Sequence, residues 1–131
     1  MPKLLSLVVC MTLLTWLTVL AASLIRAKAW TPKGLMLAFG NRDNLPEATP
    51  LAGRAQRAAA NSLENLLFFA ALALVAQIAG AANERVLLGA QVFLWARVVY
   101  LPVYLIGIPF VRTGVWTVSI VGLAMMLAGM L

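Results

Sequence analysis

The sequence predicts an all-α membrane protein, a bundle of four transmembrane helices forming one domain over residues 1–131. Of its 131 residues, 63% are hydrophobic and 11% are charged, whereas a soluble domain has about 45–50% apolar and about 25% charged residues. Four apolar stretches are long enough to cross a bilayer, which takes roughly 17–25 helical residues. We expect helices at about residues 4–26, 51–80, 84–108 and 112–131, with a long connection at about 27–50.

The first span carries no charge for 22 residues, from Leu4 to Ile25. The apolar region of a signal peptide is shorter, about 7–15 residues. We therefore expect a transmembrane helix here. A signal sequence cleaved near Ala21 is the alternative.

The connection from Trp30 to Ala52 is rich in proline, glycine and asparagine, which break helices and make turns. Within it, Leu35 to Phe39 is a short apolar piece that could dip into the membrane interface. A connection of this length suits either a lid or partner contact, or a plain interfacial linker.

The remaining spans have recognisable ends. Pro50 suits the first turn of the second helix, and the turn at Gly80 to Asn83 separates that helix from the third. Pro102 lies inside the third helix and is expected to kink it or loosen its hydrogen bonding. A second short turn, before the fourth helix, is marked by Gly107, Pro109, Arg112 and Gly114.

Composition also excludes several classes of site. The chain has no histidine and a single cysteine, Cys10, so histidine acid/base chemistry, a zinc-type metal site and an intrachain disulfide are not expected. The net charge of +6 comes without a block of basic residues, so we expect no nucleic-acid partner.

The basic residues predict the orientation. Only Lys3 and Arg85 lie on the side of the termini. By the positive-inside rule, the long connection is therefore cytoplasmic and both termini are on the opposite side. The cations on the connection side are Arg26, Lys28, Lys33, Arg42, Arg54, Arg57 and Arg112.

A polar stripe opens the second helix. Its members recur every three or four residues and therefore share one helical face. Polar and charged groups inside a membrane helix are costly and often mark a site. The stripe consists of Arg54, Arg57, Asn61 and Glu64.

The third helix carries a second stripe, Arg97, Tyr100 and Tyr104. In an antiparallel hairpin, two residues at equal depth face each other, and their residue numbers add up to the same total at every level. Three pairs across the two stripes meet that condition. The predicted pairs are Arg57 with Tyr104, Asn61 with Tyr100, and Glu64 with Arg97.

We expect Glu64 and Arg97 to form an ion pair, because an unpaired charge at that depth costs several kcal/mol. Such a pair could be a structural bridge or part of a binding site. Tyr104 could equally be an aromatic residue of the membrane interface.

The two stripes are rich in guanidinium and hydroxyl donors. They suit a small anion that also carries an ammonium group, with its carboxylates toward Arg54, Arg57 or Arg112 and its amine toward Glu64. Nearby arginine also stabilises a thiolate, because positive surroundings lower the pKa of a thiol. The surrounding lipid would supply an apolar second substrate.

These motifs resemble the MAPEG family, the membrane-associated proteins in eicosanoid and glutathione metabolism. The resemblance lies in two separated motifs in the right helix order, followed by a later Arg112. The motifs are Arg54-x-x-Arg57-x-x-x-Asn61-x-x-Glu64, with Phe68-Phe69 after it, and Ala96-Arg97-x-x-Tyr100-x-x-x-Tyr104.

The resemblance implies a homotrimer that binds glutathione between neighbouring subunits near the cytoplasmic side. Glutathione would be a co-substrate for a transferase or peroxidase acting on an apolar small molecule. Arg97 would support Glu64, and Arg112 would be the catalytic residue that stabilises the thiolate. The implied glutathione contacts are Arg57, Asn61, Glu64, Tyr100 and Tyr104.

Two other functions stay open at this point. One is a small proton-coupled multidrug exporter in which Glu64 binds a cationic drug, although an ion pair with Arg97 would make Glu64 a poor proton carrier. The other is a non-catalytic membrane module that binds lipid or a partner through the Trp30 to Ala52 connection.

Overall fold

The computed structural model describes residues 1–131 as five α-helices without a β-strand. Four of the helices are long and apolar enough to cross a membrane, and the short α2 is the exception. The chain is therefore an integral, multi-pass membrane protein. The helices are α1 Lys3–Ala27, α2 Pro32–Phe39, α3 Pro50–Ile78, α4 Glu84–Ile106 and α5 Pro109–Met130.

Helix α2 lies inside the connection, where the sequence predicts mainly turns. The Thr31 side chain accepts a hydrogen bond from the Gly34 backbone N–H at 2.9 Å, and Pro32 occupies the first turn. Both features favour a helix start. A capping oxygen accepts a hydrogen bond from a backbone N–H that has no partner inside the helix, and the proline ring fixes φ near its helical value.

The long helices α3 and α4 begin in the same way. Thr49 accepts from the Ala52 N–H at 3.1 Å ahead of α3, and Pro50 opens that helix. Asn83 accepts from the Val86 N–H at 3.0 Å ahead of α4. These caps explain why both helices start where the turn residues end.

The turn between α4 and α5 is shorter than expected. Gly107 has a φ of 87° and ends α4 in the left-handed conformation that favours glycine. Helix α5 then begins at Pro109 and not near residue 112, because proline suits the first turn. Arg112 therefore lies in the first turn of α5. Pro102 lies inside α4, which remains one helix up to Ile106.

The helices pack as two pairs, α1 along α3 and α4 along α5, with a narrower contact between α3 and α4. The sequence predicts the antiparallel order of α3 and α4 correctly, but not that each packs more extensively on another helix. Phe69 of α3 stacks on Phe93 of α4 with ring centroids 4.5 Å apart. That contact closes the core between the two pairs.

One end of the bundle gathers most of the polar residues. Helices α1 and α4 end there, and α3 and α5 begin there. We call it the connection end, because α2 and the rest of the 28–49 connection also lie there.

Candidate functional site

A hydrogen bond links the two polar stripes at the connection end. Arg57 Nε donates to the Tyr104 hydroxyl at 3.0 Å, joining α3 to α4. The expected pairing of Arg57 with Tyr104 is therefore confirmed. Tyr104 is buried, whereas Arg57 is an exposed residue that a ligand could reach.

Beside this bond lies a polar cleft of about 210 Å³. It joins residues from three helices, so that a ligand there would touch α3, α4 and α5 together. Asn61 and Tyr100 share it, as their predicted common depth requires. The lining residues of this polar cleft are Asn61, Tyr100, Arg112, Thr113 and Trp116.

Arg112 is held at the cleft by an aromatic contact. Its guanidinium carbon lies 5.0 Å from the centroid of the Tyr104 ring, within the range of a cation–π interaction. The Tyr100 and Tyr104 rings are themselves 5.4 Å apart. Tyr104 thus contacts Arg57 through its hydroxyl and Arg112 through its ring.

Asn65 is a site residue that the sequence reading missed. Its Nδ2 donates to the Asn61 carbonyl at 2.8 Å and lies 3.3 Å from Asn61 Oδ1. The side-chain oxygen of Asn61 thereby accepts a bond, which leaves its NH₂ group without a hydrogen bond inside the chain. Asn65 follows Asn61 by one helical turn, a spacing that could have revealed it.

Two other polar residues at the connection end donate side-chain hydrogen bonds to backbone carbonyl groups. Arg54 Nε donates to the Leu105 carbonyl at 3.0 Å, so Arg54 ties α3 to the end of α4 and does not line the polar cleft. The Thr113 hydroxyl donates to the Pro109 carbonyl at 3.2 Å. Its oxygen can therefore only accept a bond in the cleft.

The expected ion pair between Glu64 and Arg97 does not form within the chain. Arg97 is 1% exposed, and its single side-chain hydrogen bond runs from Nη2 to Ser62 Oγ at 3.2 Å. Its Nε and Nη1 have no partner, while its guanidinium lies 4.2 Å from the Tyr100 ring centroid. Glu64 is exposed.

The rotation of α3 explains this difference. Its buried face includes Ser62, Asn65 and Phe69, which recur every three or four residues. Glu64 follows Ser62 by two residues, which is more than half a turn of an α-helix, so its side chain lies on the opposite face. Ser62, which the sequence reading did not select, takes the place predicted for Glu64.

An apolar groove of about 290 Å³ runs between α1 and α4 above Ala55 of α3. Ala22 and Ile25 of α1 face Leu101 and Leu105 of α4 across it. The carbonyl of Leu105 is the one that accepts from Arg54, so the groove reaches the connection end.

Comparison with known proteins identifies the family of this chain. Searches of curated proteins and of solved structures returned no match. The model of the MAPEG family matches residues 4–131, which is nearly the whole chain and includes all four spans and every residue of the cleft. The chain therefore belongs to the MAPEG family.

Proposed function

We propose that this protein is a membrane-embedded, glutathione-dependent enzyme that conjugates glutathione to apolar electrophiles or reduces lipid hydroperoxides. The observation that carries the proposal is that Asn61, Tyr100 and Arg112, from three helices, share one cleft. Amide, phenol and guanidinium groups together suit the carboxylates and the thiolate of glutathione.

The donors have distinct roles in this proposal. The guanidinium of the exposed residue Arg57, oriented by Tyr104, would bind a carboxylate of glutathione. Asn61, with its oxygen engaged by Asn65, would donate through its NH₂ group. Arg112 would stabilise the thiolate, since a nearby cation lowers the pKa of a thiol. The apolar groove between α1 and α4 is a candidate route for the second substrate.

Both reactions begin with the thiolate, formed when the thiol loses its proton to solvent. In conjugation, the sulfur forms a bond to an electrophilic carbon and the leaving group departs with the bonding electrons. In peroxide reduction, the sulfur attacks the terminal peroxide oxygen and the O–O bond breaks. The alkoxide leaves and takes a proton from solvent to become an alcohol, while glutathione becomes the sulfenic acid. A second glutathione then displaces water and forms the disulfide. Positioning and charge stabilisation supply the catalysis.

We further propose that the active form is a homotrimer with glutathione between subunits. The support is the exposure of Glu64 within a membrane span. A carboxylate facing lipid costs several kcal/mol, and a neighbouring copy packed on that face would remove the cost. Glu64 could then reach the amine of glutathione bound at the interface.

The exporter is a second candidate, because Glu64 has no partner in the chain. The objection that Arg97 neutralises Glu64 no longer holds, since Arg97 bonds to Ser62. A proton-coupled exporter would show drug uptake into proteoliposomes driven by a proton gradient, and the Glu64→Gln variant would lose it. It would not bind glutathione.

Isothermal titration of glutathione into the detergent-solubilised trimer tests the leading proposal. We expect binding that weakens about tenfold or more in Arg57→Ala, because a charge-assisted hydrogen bond contributes about 1.5–3 kcal/mol. Glu64→Ala should also bind more weakly. Gln91→Ala, at an exposed polar residue of α4 away from the polar cleft, is the matched control and should bind normally.

Two further results decide the chemistry. Arg112→Met should retain most binding but lose the ultraviolet absorbance of bound thiolate. Failure of a demonstrably trimeric preparation to bind glutathione would refute the proposal. Normal binding without turnover of any electrophile or hydroperoxide would favour the non-catalytic module.

A further inference from the structure

Helix α2 is fixed to the end of α1 by backbone contacts. A side chain at Gly34 would collide with the carbonyl oxygens of Ala27 and Lys28, so glycine allows the two helices to touch. Arg42 then joins both helices, donating from Nη1 to the Ser23 carbonyl at 3.2 Å and from Nε to the Ala38 carbonyl at 3.3 Å. Helix α2 therefore has a defined position at the connection end.

The outer face of α2 is apolar and uncovered. Met36 is 76% exposed and Phe39 is 82% exposed, and Leu35 lies beside them on the same face. Trp30, just before the helix, is 69% exposed. In contrast, Gly34 is buried against α1. The small residue thus faces the protein and the large apolar residues face away from it.

The depth of α2 in the bilayer follows from the point at which the apolar part of α1 ends. The charge-free part of α1 ends at Ile25, and Arg26 and Lys28 come directly after it. A span of this length brings that point to the boundary between hydrocarbon and headgroups. Because α2 touches Ala27 and Lys28, it lies at the same boundary.

The charges around the apolar face are basic. Lys28 and Lys33 are exposed, and Arg26 lies in the last turn of α1. An amphipathic helix with large apolar residues on one face and lysines beside it is typical of a helix that lies in the membrane interface. Tryptophan is also enriched at that depth.

We propose that α2 is an interfacial anchor that binds anionic phospholipids. Trp30, Met36 and Phe39 enter the boundary between headgroups and acyl chains, and Lys28 and Lys33 contact the phosphate and acidic headgroups. The partner is a lipid surface and not a second copy of the chain, because lysines flanking an apolar face match anionic headgroups in charge. This assignment is independent of glutathione binding.

A fluorescent label at residue 36 tests the anchor. In a Cys10→Ser background, Met36→Cys provides a single labelling site on an exposed side chain. The protein is reconstituted in vesicles of neutral lipid, with or without anionic lipid. The labelled lipid, either neutral or anionic, carries a nitroxide near the carboxyl end or near the methyl end of its acyl chain. We expect stronger quenching by the shallow nitroxide, and more from anionic than from neutral labelled lipid.

Charge variants test the headgroup contact. Lys28→Gln combined with Lys33→Gln should remove the difference between anionic and neutral lipid. Lys3→Gln, at the other end of the bundle, is the matched control and should leave that difference unchanged. A label at Glu47→Cys, elsewhere in the connection, should show little quenching at either depth.

Three results would overturn the anchor. Quenching at residue 36 as weak as at residue 47, with the emission of a water-exposed dye, would place α2 in solvent. A dye shielded from water but not quenched by lipid at either depth would mean that a second copy covers α2. Equal quenching by anionic and neutral lipid in the unmodified background would remove the role of the lysines.

Discussion

The Tyr104 side chain connects the candidate binding and catalytic groups. Its hydroxyl accepts from Arg57 Nε at 3.0 Å, and its ring lies 5.0 Å from the Arg112 guanidinium carbon. One buried side chain thereby orients two cations from different helices. The ring and the hydroxyl can be tested separately, because phenylalanine retains the first and lacks the second.

We predict that Tyr104→Phe weakens glutathione binding about twofold to tenfold, since a hydrogen bond contributes about 0.5–1.5 kcal/mol and its loss frees Arg57 to move. In a double-mutant cycle with Arg57→Ala, titration calorimetry should show that the two effects are not additive. Gln91→Ala combined with Tyr104→Phe is the control pair, because Gln91 is exposed on α4 and does not line the polar cleft. Additive effects of Arg57→Ala and Tyr104→Phe would show that the hydrogen bond does not matter for binding.

Arg97 is the other informative residue. It is a buried cation with one hydrogen bond to Ser62 and two nitrogens without a partner. A buried charge without its full set of partners is costly, and its position over the Tyr100 ring offsets only part of that cost. Arg97 therefore contacts Tyr100, which lines the polar cleft, and forms no ion pair with Glu64 inside the chain.

Among the helices, α4 and α5 pack against each other most extensively. Gly89 and Gly122 face each other, and a Cβ on Gly89 would lie 2.7 Å from the Gly122 carbonyl oxygen. Small residues at a helix crossing allow this backbone contact in a membrane, where lipid provides little hydrophobic drive for association. The crossing positions Tyr100 of α4 and Arg112 of α5 on two sides of the polar cleft.

We predict that Gly89→Ala destabilises the protein by about 1–3 kcal/mol, because the added methyl group forces α4 and α5 apart. Thermal unfolding in detergent should show a lower Tm. Gly114→Ala is the matched control, since a Cβ there meets nothing within 4 Å and alanine favours a helix by up to about 1 kcal/mol over glycine. Equal losses in both variants would contradict this account of the crossing.

At the level of the whole molecule, the outer face of α3 is the surface expected to meet a second copy. It includes Arg57, Ala60 and Glu64, all of them exposed in the single chain. We predict that Ala60→Trp, one turn before Glu64, shifts the protein from trimers to monomers in native mass spectrometry, because a large side chain there blocks close packing. It should also lose glutathione binding.

Ala124→Trp serves as the control for assembly. Ala124 is a small, exposed residue on α5, away from the α3 face. The substitution there should leave the trimer intact. Assembly that resists Ala60→Trp but is lost in Ala124→Trp would place the subunit interface on α5.

The orientation of the molecule in its membrane is a separate prediction. By the positive-inside rule, the basic residues predict that the connection end faces the cytoplasm. In intact cells with a Cys10→Ser background, a membrane-impermeant maleimide should label Ala82→Cys, in the exposed turn before α4. It should label Glu47→Cys only after the membrane is permeabilised. The reverse pattern would contradict the predicted orientation.

Several features of the protein could be predicted from the sequence by itself. The number of spans follows from apolar length, because the bilayer imposes it on each segment independently. The pairing of Arg57 with Tyr104 follows from antiparallel register, and family membership follows from the two motifs and is shown by the match over residues 4–131. These features depend on spacing along the chain.

Only the tertiary structure decided the rest. Spacing places Glu64 on the same stripe as Asn61, but the rotation of α3 depends on how Phe69 and Ala55 pack against other helices. That rotation turns Ser62 and Asn65 inward and Glu64 outward. The position of α2 against α1 likewise depends on a backbone contact at Gly34 with residues outside its own helix. Contacts between segments set these features, and the pattern within one segment does not contain them.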